Sequence, residues 1–191
     1  MVPFARIAVP VVACYVLGSI PTADLVARQR SVDLRGVGDG NPGWWNAREQ
    51  LGRTAARPVL AGDIAKGAAA AAIGRLVARR GEWWPPVVSG GAAMVGHAWP
   101  LFAGFRGGRA VATFGGAAGV ISPRSAVLAI AAGVVTGGAR SSLAAGVRAG
   151  FVAYPLAQLV VDGPRRTAAT GALMTFVGLR FVTAVRRTRR Q

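Results

Sequence analysis

From Ile7 to Ala27 the chain reads IAVPVVACYVLGSIPTADLVA, a run broken only by Pro10, Pro21 and the single charge of Asp24. A helix needs about 20 predominantly apolar residues to cross the hydrocarbon core of a bilayer, and this run supplies them. A cleaved leader would carry a basic lead-in and a small-residue cleavage pattern. Here only Arg6 precedes the run, which passes into Gly18-Ser19-Ile20-Pro21 without an Ala-x-Ala signal. It reads as a retained first helix.

The rest of the chain repeats that pattern. Apolar stretches run over 58–77, which encloses Asp63 and Lys66, and over 86–105, 143–161 and 167–185. Two shorter ones, 110–121 and 125–139, flank Ser122-Pro123-Arg124 and suit a tilted or re-entrant pair. The expectation is an all-α, polytopic integral membrane protein with about seven transmembrane or partly inserted helices, forming one domain over 1–191. Alternating sides puts thirteen arginines on the side of loop 28–57 and six on the other, Arg6, Arg79, Arg80, Arg124, Arg165 and Arg166. The thirteen include the tail Arg186, Arg187, Arg189 and Arg190. The positive-inside rule makes the richer side cytoplasmic and leaves the N-terminus outside. Small residues such as Gly115-Gly116-Ala117-Ala118-Gly119 let helices approach closely in lipid.

Composition agrees. The net charge of +16 comes from 23 basic and seven acidic residues, yet 52% of the chain is hydrophobic and only 16% charged. A nucleic-acid-binding domain can be this basic but is not also this apolar, so no nucleic-acid partner is expected. Arginines beside apolar spans face anionic lipid instead. The lone Cys14 and lone His97 exclude a disulfide and a cysteine or histidine metal cluster.

Chemistry concentrates in the loops on the richer side. Asp33-Leu-Arg35-Gly-Val-Gly38-Asp39-Gly40-Asn41-Pro42-Gly43-Trp44-Trp45-Asn46 joins glycines, which let successive N–H groups face an anion, to Arg35, Asn41 and Asn46 as further donors. An ordinary turn with an interfacial Trp pair fits the same residues. Gly104-Phe105-Arg106-Gly107-Gly108-Arg109 sets two arginines around a glycine pair just before an apolar helix, a phosphate cradle in form, though not a Walker A loop. A plain cytoplasmic boundary has the same composition. Asp63 and Lys66, three apart inside a span, share a face and can pair, and charges within a span are costly enough to suggest function. Lys66 is the only lysine, a compact ammonium in an arginine-biased chain. His97 has no Asp five residues on, that place being Phe102, and Asp39-Gly40 is followed by Asn41-Pro42 rather than Ala-Arg-type residues. These absences set aside the His-x4-Asp acyltransferases and the phosphatidyl transferases.

In order and spacing these segments resemble the bacterial glycerol-3-phosphate acyltransferases that use acyl phosphate as donor. The matching residues are Gly18-Ser19-Ile20-Pro21; Arg35 with Gly38, Gly40, Asn41, Gly43 and Asn46; Asp63, Lys66 and Gly67; Gly96-His97, Pro100, Phe102 and Phe105; Arg106-Gly107-Gly108-Arg109 with Val111, Ala112 and Thr113; and Ser142-Leu143. The resemblance implies transfer of an acyl group from acyl phosphate to the 1-position of glycerol 3-phosphate, on the cytoplasmic side of the cell membrane, for phospholipid synthesis. It implies Ser19, Lys66, His97 and Ser142 as catalytic residues. Arg35, Gly40, Asn41, Asn46, Arg106, Gly107, Gly108, Arg109 and Thr113 would bind phosphate. The acyl chain would lie among the helices or in the bilayer. It implies no metal or cofactor and no partner beyond the two substrates and membrane lipids; oligomeric state stays open.

The chain departs from that pattern at several places. Position 39 is Asp in place of Ser, 45 is Trp in place of Thr, 110 is Ala in place of Gly, and Arg106 and Arg109 stand where the pattern has lysines. Near the C-terminus Phe181 and Ala184 replace His and Asn. A carboxylate about 4 Å from a phosphate charge, at an effective dielectric of roughly 20, is repelled by on the order of 4 kcal/mol. These changes raise an alternative to acyl transfer, a divergent relative that binds phosphate or lipid headgroups without this turnover or with another acceptor. A small transporter fits less well, since no inverted repeat is evident and the polar residues gather on one side.

Overall fold

A computed structural model describes residues 3–188, with side chains over 6–183. Ala184 and the tail arginines Arg186, Arg187, Arg189 and Arg190 lie outside the described side chains. The described residues are helical without strands: α1 (Pro3–Gly18), α2 (Thr22–Arg28), α3 (Trp44–Leu51), α4 (Arg53–Val77), α5 (Pro85–Ala98), α6 (Val111–Ile121), α7 (Pro123–Ala139), α8 (Leu143–Asp162) and α9 (Pro164–Thr188), with a 3-10 turn at Leu101–Ala103.

The first span is not one continuous helix. It breaks at Ser19-Ile20-Pro21 into α1 and α2, because Pro21 biases Ile20 away from helical backbone and has no N–H to continue the ladder. The second correction is α3, an amphipathic turn of helix inside what the sequence presents as loop. The Arg6–Arg28 stretch and α8 are long and apolar enough to cross a bilayer, whereas α6 and α7 are shorter. At 1.5 Å per residue α6 extends only about 16 Å.

Seven longer helices alternate in direction, and glycines let them touch backbone to backbone. A methyl group on Gly18 would lie 2.1 Å from the Ala93 carbonyl oxygen, and one on Gly67 would lie 1.9 Å from that of Thr113. These contacts lock α1 to α5 and α4 to α6, the close crossings that small residues permit in lipid. Met94, Phe114, Tyr154 and Val177 form one core cluster joining α5, α6, α8 and α9. The outward faces of α7 and α8 stay apolar, with Val127, Ile130, Val134 and Val160 exposed.

The alternation puts loops 29–43, 99–110 and 140–142 at one end of the bundle. Loop 29–43 is folded rather than loose, since Leu34 is buried among Ala23, Ala27, Ala47, Ala56 and Val59 of α2, α3 and α4.

Candidate active site

The site grows from Asp63, buried on α4. Its Oδ1 accepts from Thr22 Oγ1 at 2.5 Å and lies 2.8 Å from Lys66 Nζ and 3.4 Å from His97 Nδ1. Lys66 Nζ also donates to the Ile20 carbonyl at 3.1 Å. The proline break thus does local work: it turns Ile20 and Thr22 out of helical register toward α4. Lys66 and Asp63 are 5% and 2% exposed, so their charges are compensated mainly by each other. A buried charge without such a partner is strongly disfavoured.

His97, in the last turn of α5, has one nitrogen toward Asp63 and the other toward the glycine pair. A methyl group on Gly108 would sit 2.3 Å from His97 Nε2, and one on Gly107 would sit 1.9 Å from the His97 carbonyl oxygen. An Asp63 carboxylate facing Nδ1 fixes the tautomer that carries the proton there, leaving Nε2 as the basic nitrogen.

The same geometry corrects the cradle expectation. The N–H groups of Gly107 and Gly108 donate to the Ala98 and His97 carbonyls, both at 3.1 Å, and that of Gly40 donates to Val37 at 3.1 Å. These glycines allow close backbone approach; their N–H groups do not face an open anion site. Arg180 of α9 also holds this loop, donating to the Gly107 and Gly108 carbonyls at 3.1 Å and stacking over Trp99.

Arg35 ties the two loops together. Its guanidinium makes two 2.8 Å bonds to Asp24 and donates to the Arg106 carbonyl at 2.6 Å. Arg106 itself is exposed. Asp39 is not an uncompensated carboxylate beside the site, since its Oδ2 is 2.9 Å from Arg109 NH1. Asn46 is fully buried and donates to the Leu34 and Val37 carbonyls, so its amide group shapes the loop from within. The Asn41 N–H closes a turn on Asp39 Oδ1.

Three residues singled out by pattern direct their side chains elsewhere than the Asp63–Lys66–His97 contacts. Ser19 is buried with its hydroxyl on the Tyr15 carbonyl. Thr113 is buried at the α4–α6 crossing. Ser142 caps α8 by accepting from the Ala145 N–H at 3.3 Å. Ser142 instead lines an apolar groove of about 720 Å³ between α6, α7 and α8, together with Ile64, Val111, Phe114, Gly146 and Tyr154. In sequence, Ile64 follows Asp63 and Val111 lies two positions after Arg109, so α4 and α6 contribute to the groove from segments that also carry the polar cluster.

Thr22, Asp24, Arg35, Lys66, His97 and Gly108 enclose a crevice of only about 10 Å³, roughly one water's worth of space. As it stands the crevice is too small to hold a phosphate group. Asp24, Thr22 and Arg180 were not singled out from sequence as site residues. Asp24 left a signal, a carboxylate inside an apolar span.

A sequence model described as glycerol-3-phosphate acyltransferase matches residues 8–191. The chain belongs to the glycerol-3-phosphate acyltransferase family. Among curated relatives, the glycerol-3-phosphate acyltransferase of Rubrobacter xylanophilus is 44% identical over 109 residues, covering 57% of this chain and 54% of the relative. That of Exiguobacterium sibiricum is 46% identical over 110 residues, covering 57% and 52%. The match therefore spans about half the length of these relatives. The fold is similar over a greater length to PlsY (YgiH), an integral membrane glycerol 3-phosphate acyltransferase solved in its glycerol 3-phosphate form. The TM-score is 0.82 at 26% identity, covering 95% of this chain and 91% of the other. An all-helical integral membrane fold is what this chain shares with that structure.

Proposed function

We propose that this chain transfers a fatty acyl group from acyl phosphate to the 1-hydroxyl of glycerol 3-phosphate. The observation that carries the reading is the buried Asp63–Lys66–His97 cluster, with His97 packed against Gly107 and Gly108 of the Arg106–Arg109 loop. An acyl phosphate is already activated, so a nucleophilic residue is unnecessary; positioning and charge neutralisation suffice. His97 Nε2 takes the hydroxyl proton as the oxygen attacks the acyl carbon. The acyl carbon–oxygen bond to phosphate then breaks, and the charge on the leaving phosphate is met by Lys66 and the loop arginines. The acyl chain lies in the groove formed by α6, α7 and α8. Lysophosphatidate and phosphate are the products, which places the chain in phospholipid synthesis.

The arginine bias assigns the site to the cytoplasmic face of the cell membrane and the N-terminus to the outside. The family membership and the likeness to PlsY support the activity; the buried Lys66 supports the mechanism. Full-length protein in detergent, given palmitoyl phosphate and glycerol 3-phosphate, should release phosphate, and Lys66→Ala should reduce the rate at least about 100-fold, as expected when a charge that stabilises the transition state is lost. An unchanged rate in that variant would remove Lys66 from the chemistry. Substrate binding without turnover in the unmodified protein would favour a phosphate- or headgroup-binding relative.

A further inference from the structure

Arg109 is held on two sides. Asp39 Oδ2 lies 2.9 Å from its NH1, and the Phe181 ring lies 4.6 Å from the guanidinium carbon. Its Nε is buried without a hydrogen-bond partner. Directly after it, Ala110 caps α6 with no side-chain acceptor, so the helix's first N–H groups add partial positive charge beside the guanidinium. This is an anion site whose present anion is the protein's own carboxylate.

Asp39 is placed to leave. It stands between Gly38 and Gly40, both left-handed at φ 60° and 66°, at a loop tip where it is 38% exposed. Its two oxygens do different things, Oδ1 closing the turn on the Asn41 N–H and Oδ2 engaging Arg109. Phe181 contacts the cation through its ring face and does not depend on Asp39, so the guanidinium keeps its place when the carboxylate withdraws. We propose that Asp39 is a specificity-determining residue. Through Arg109 it sets how tightly the site takes a phosphoryl group, because a substrate oxygen must replace its carboxylate. Aspartate and substrate compete for one cation, so the pair weakens substrate binding without touching the reacting atoms. The inference rests on the acyl-transfer reading only for which substrate carries that phosphoryl group.

Asp39→Asn is the direct test, since an amide oxygen still accepts from the Asn41 N–H while the anion is gone. Full-length protein in detergent would be titrated with inorganic phosphate, binding being read from protection against thermal unfolding. Asp39→Asn should bind about two- to fivefold more tightly, the range a partly exposed ion pair supplies. The gain should vanish in the Asp39→Asn/Arg109→Gln double variant, and Asp39→Glu should behave as the unmodified protein does. In turnover assays KM should fall by a similar factor with kcat unchanged. Whether it falls for glycerol 3-phosphate or for palmitoyl phosphate identifies the phosphoryl group concerned. Equal phosphate binding by Asp39→Asn and the unmodified protein, or a gain that persists without Arg109, overturns the proposal. So does tighter phosphate binding with neither KM changed. If the unmodified protein shows no turnover, acyl transfer falls, while the phosphate titration still decides the role of Asp39.

Discussion

The two ends of the bundle use polar residues in opposite ways. At the end away from the loops, Ser122 donates to Asp162 and accepts from Ser125, Arg166 pairs with Asp162 at 3.3 Å, and Thr170 donates to Gln158. These partners sit on or beside helices α6 to α9, and Ser125, Gln158 and Thr170 are fully buried. At the loop end, Arg35 and Arg109 reach their carboxylates across glycine-rich segments and remain partly exposed. Helix-borne polar groups that water does not reach are fixed and hold the bundle together. Pairs that span loops which water reaches can exchange a partner for an incoming anion. Between these extremes lies the Asp63 cluster, as buried as the far network yet placed against the loops.

That intermediate position gives the largest expected effect. Asp63→Asn keeps the shape but leaves Lys66 as a buried charge without a countercharge. Removing one partner of a buried pair costs about 3–5 kcal/mol. Thermal unfolding in detergent should report that loss, and phosphate release should fall to background because His97 and Lys66 lose the carboxylate charge that holds them. A stable Asp63→Asn protein with ordinary turnover would make the cluster no different from the exposed pairs beside it.

Asp162→Ala asks the same of the far end. The Ser122 hydroxyl keeps Ser125 as a partner, and Arg166 is partly exposed. The loss should therefore be smaller, about 1–2 kcal/mol. Unfolding should shift accordingly while kcat and KM hold. A change in KM would show that the two ends communicate, and the division drawn between them would fail.

The helical membrane fold was legible because a bilayer demands long apolar runs, and runs are local in sequence. The boundaries of α6 to α9 fall within a few residues of the apolar segments for that reason. Lys66 and His97 were legible too, as the only residues of their kinds. What the pattern misassigned were residues whose purpose depends on a distant backbone. Gly107 and Gly108 look like anion donors until α5 is seen to take their N–H groups, and Asn46 looks like a ligand until Leu34 and Val37 take its amide. Asp39 looked like an isolated charge because Arg109 lies 70 positions later. A single chain holds no signal of such a pairing, since neither residue is unusual where it stands.

The smallest effect is expected where a pair is only partly buried and also far from the site. Glu82, between α4 and α5, accepts from the Arg79 N–H at 2.8 Å and from Arg6 at 2.6 Å. The Arg79 N–H first, and then the Arg6 side chain, hold its carboxyl below the usual carboxylate range. A group whose pKa is lowered on folding supports the fold in its ionised form, and that support is lost as pH falls through the lowered value. Glu82→Gln should therefore be slightly less stable than the unmodified protein at neutral pH, by no more than a surface ion pair supplies. The two unfolding curves should converge in acid, once Glu82 is protonated, with turnover unaffected throughout. A gap that widens toward acid would reverse the sign of this pairing, and Arg6–Glu82 would then belong with the fixed network rather than with the exposed pairs.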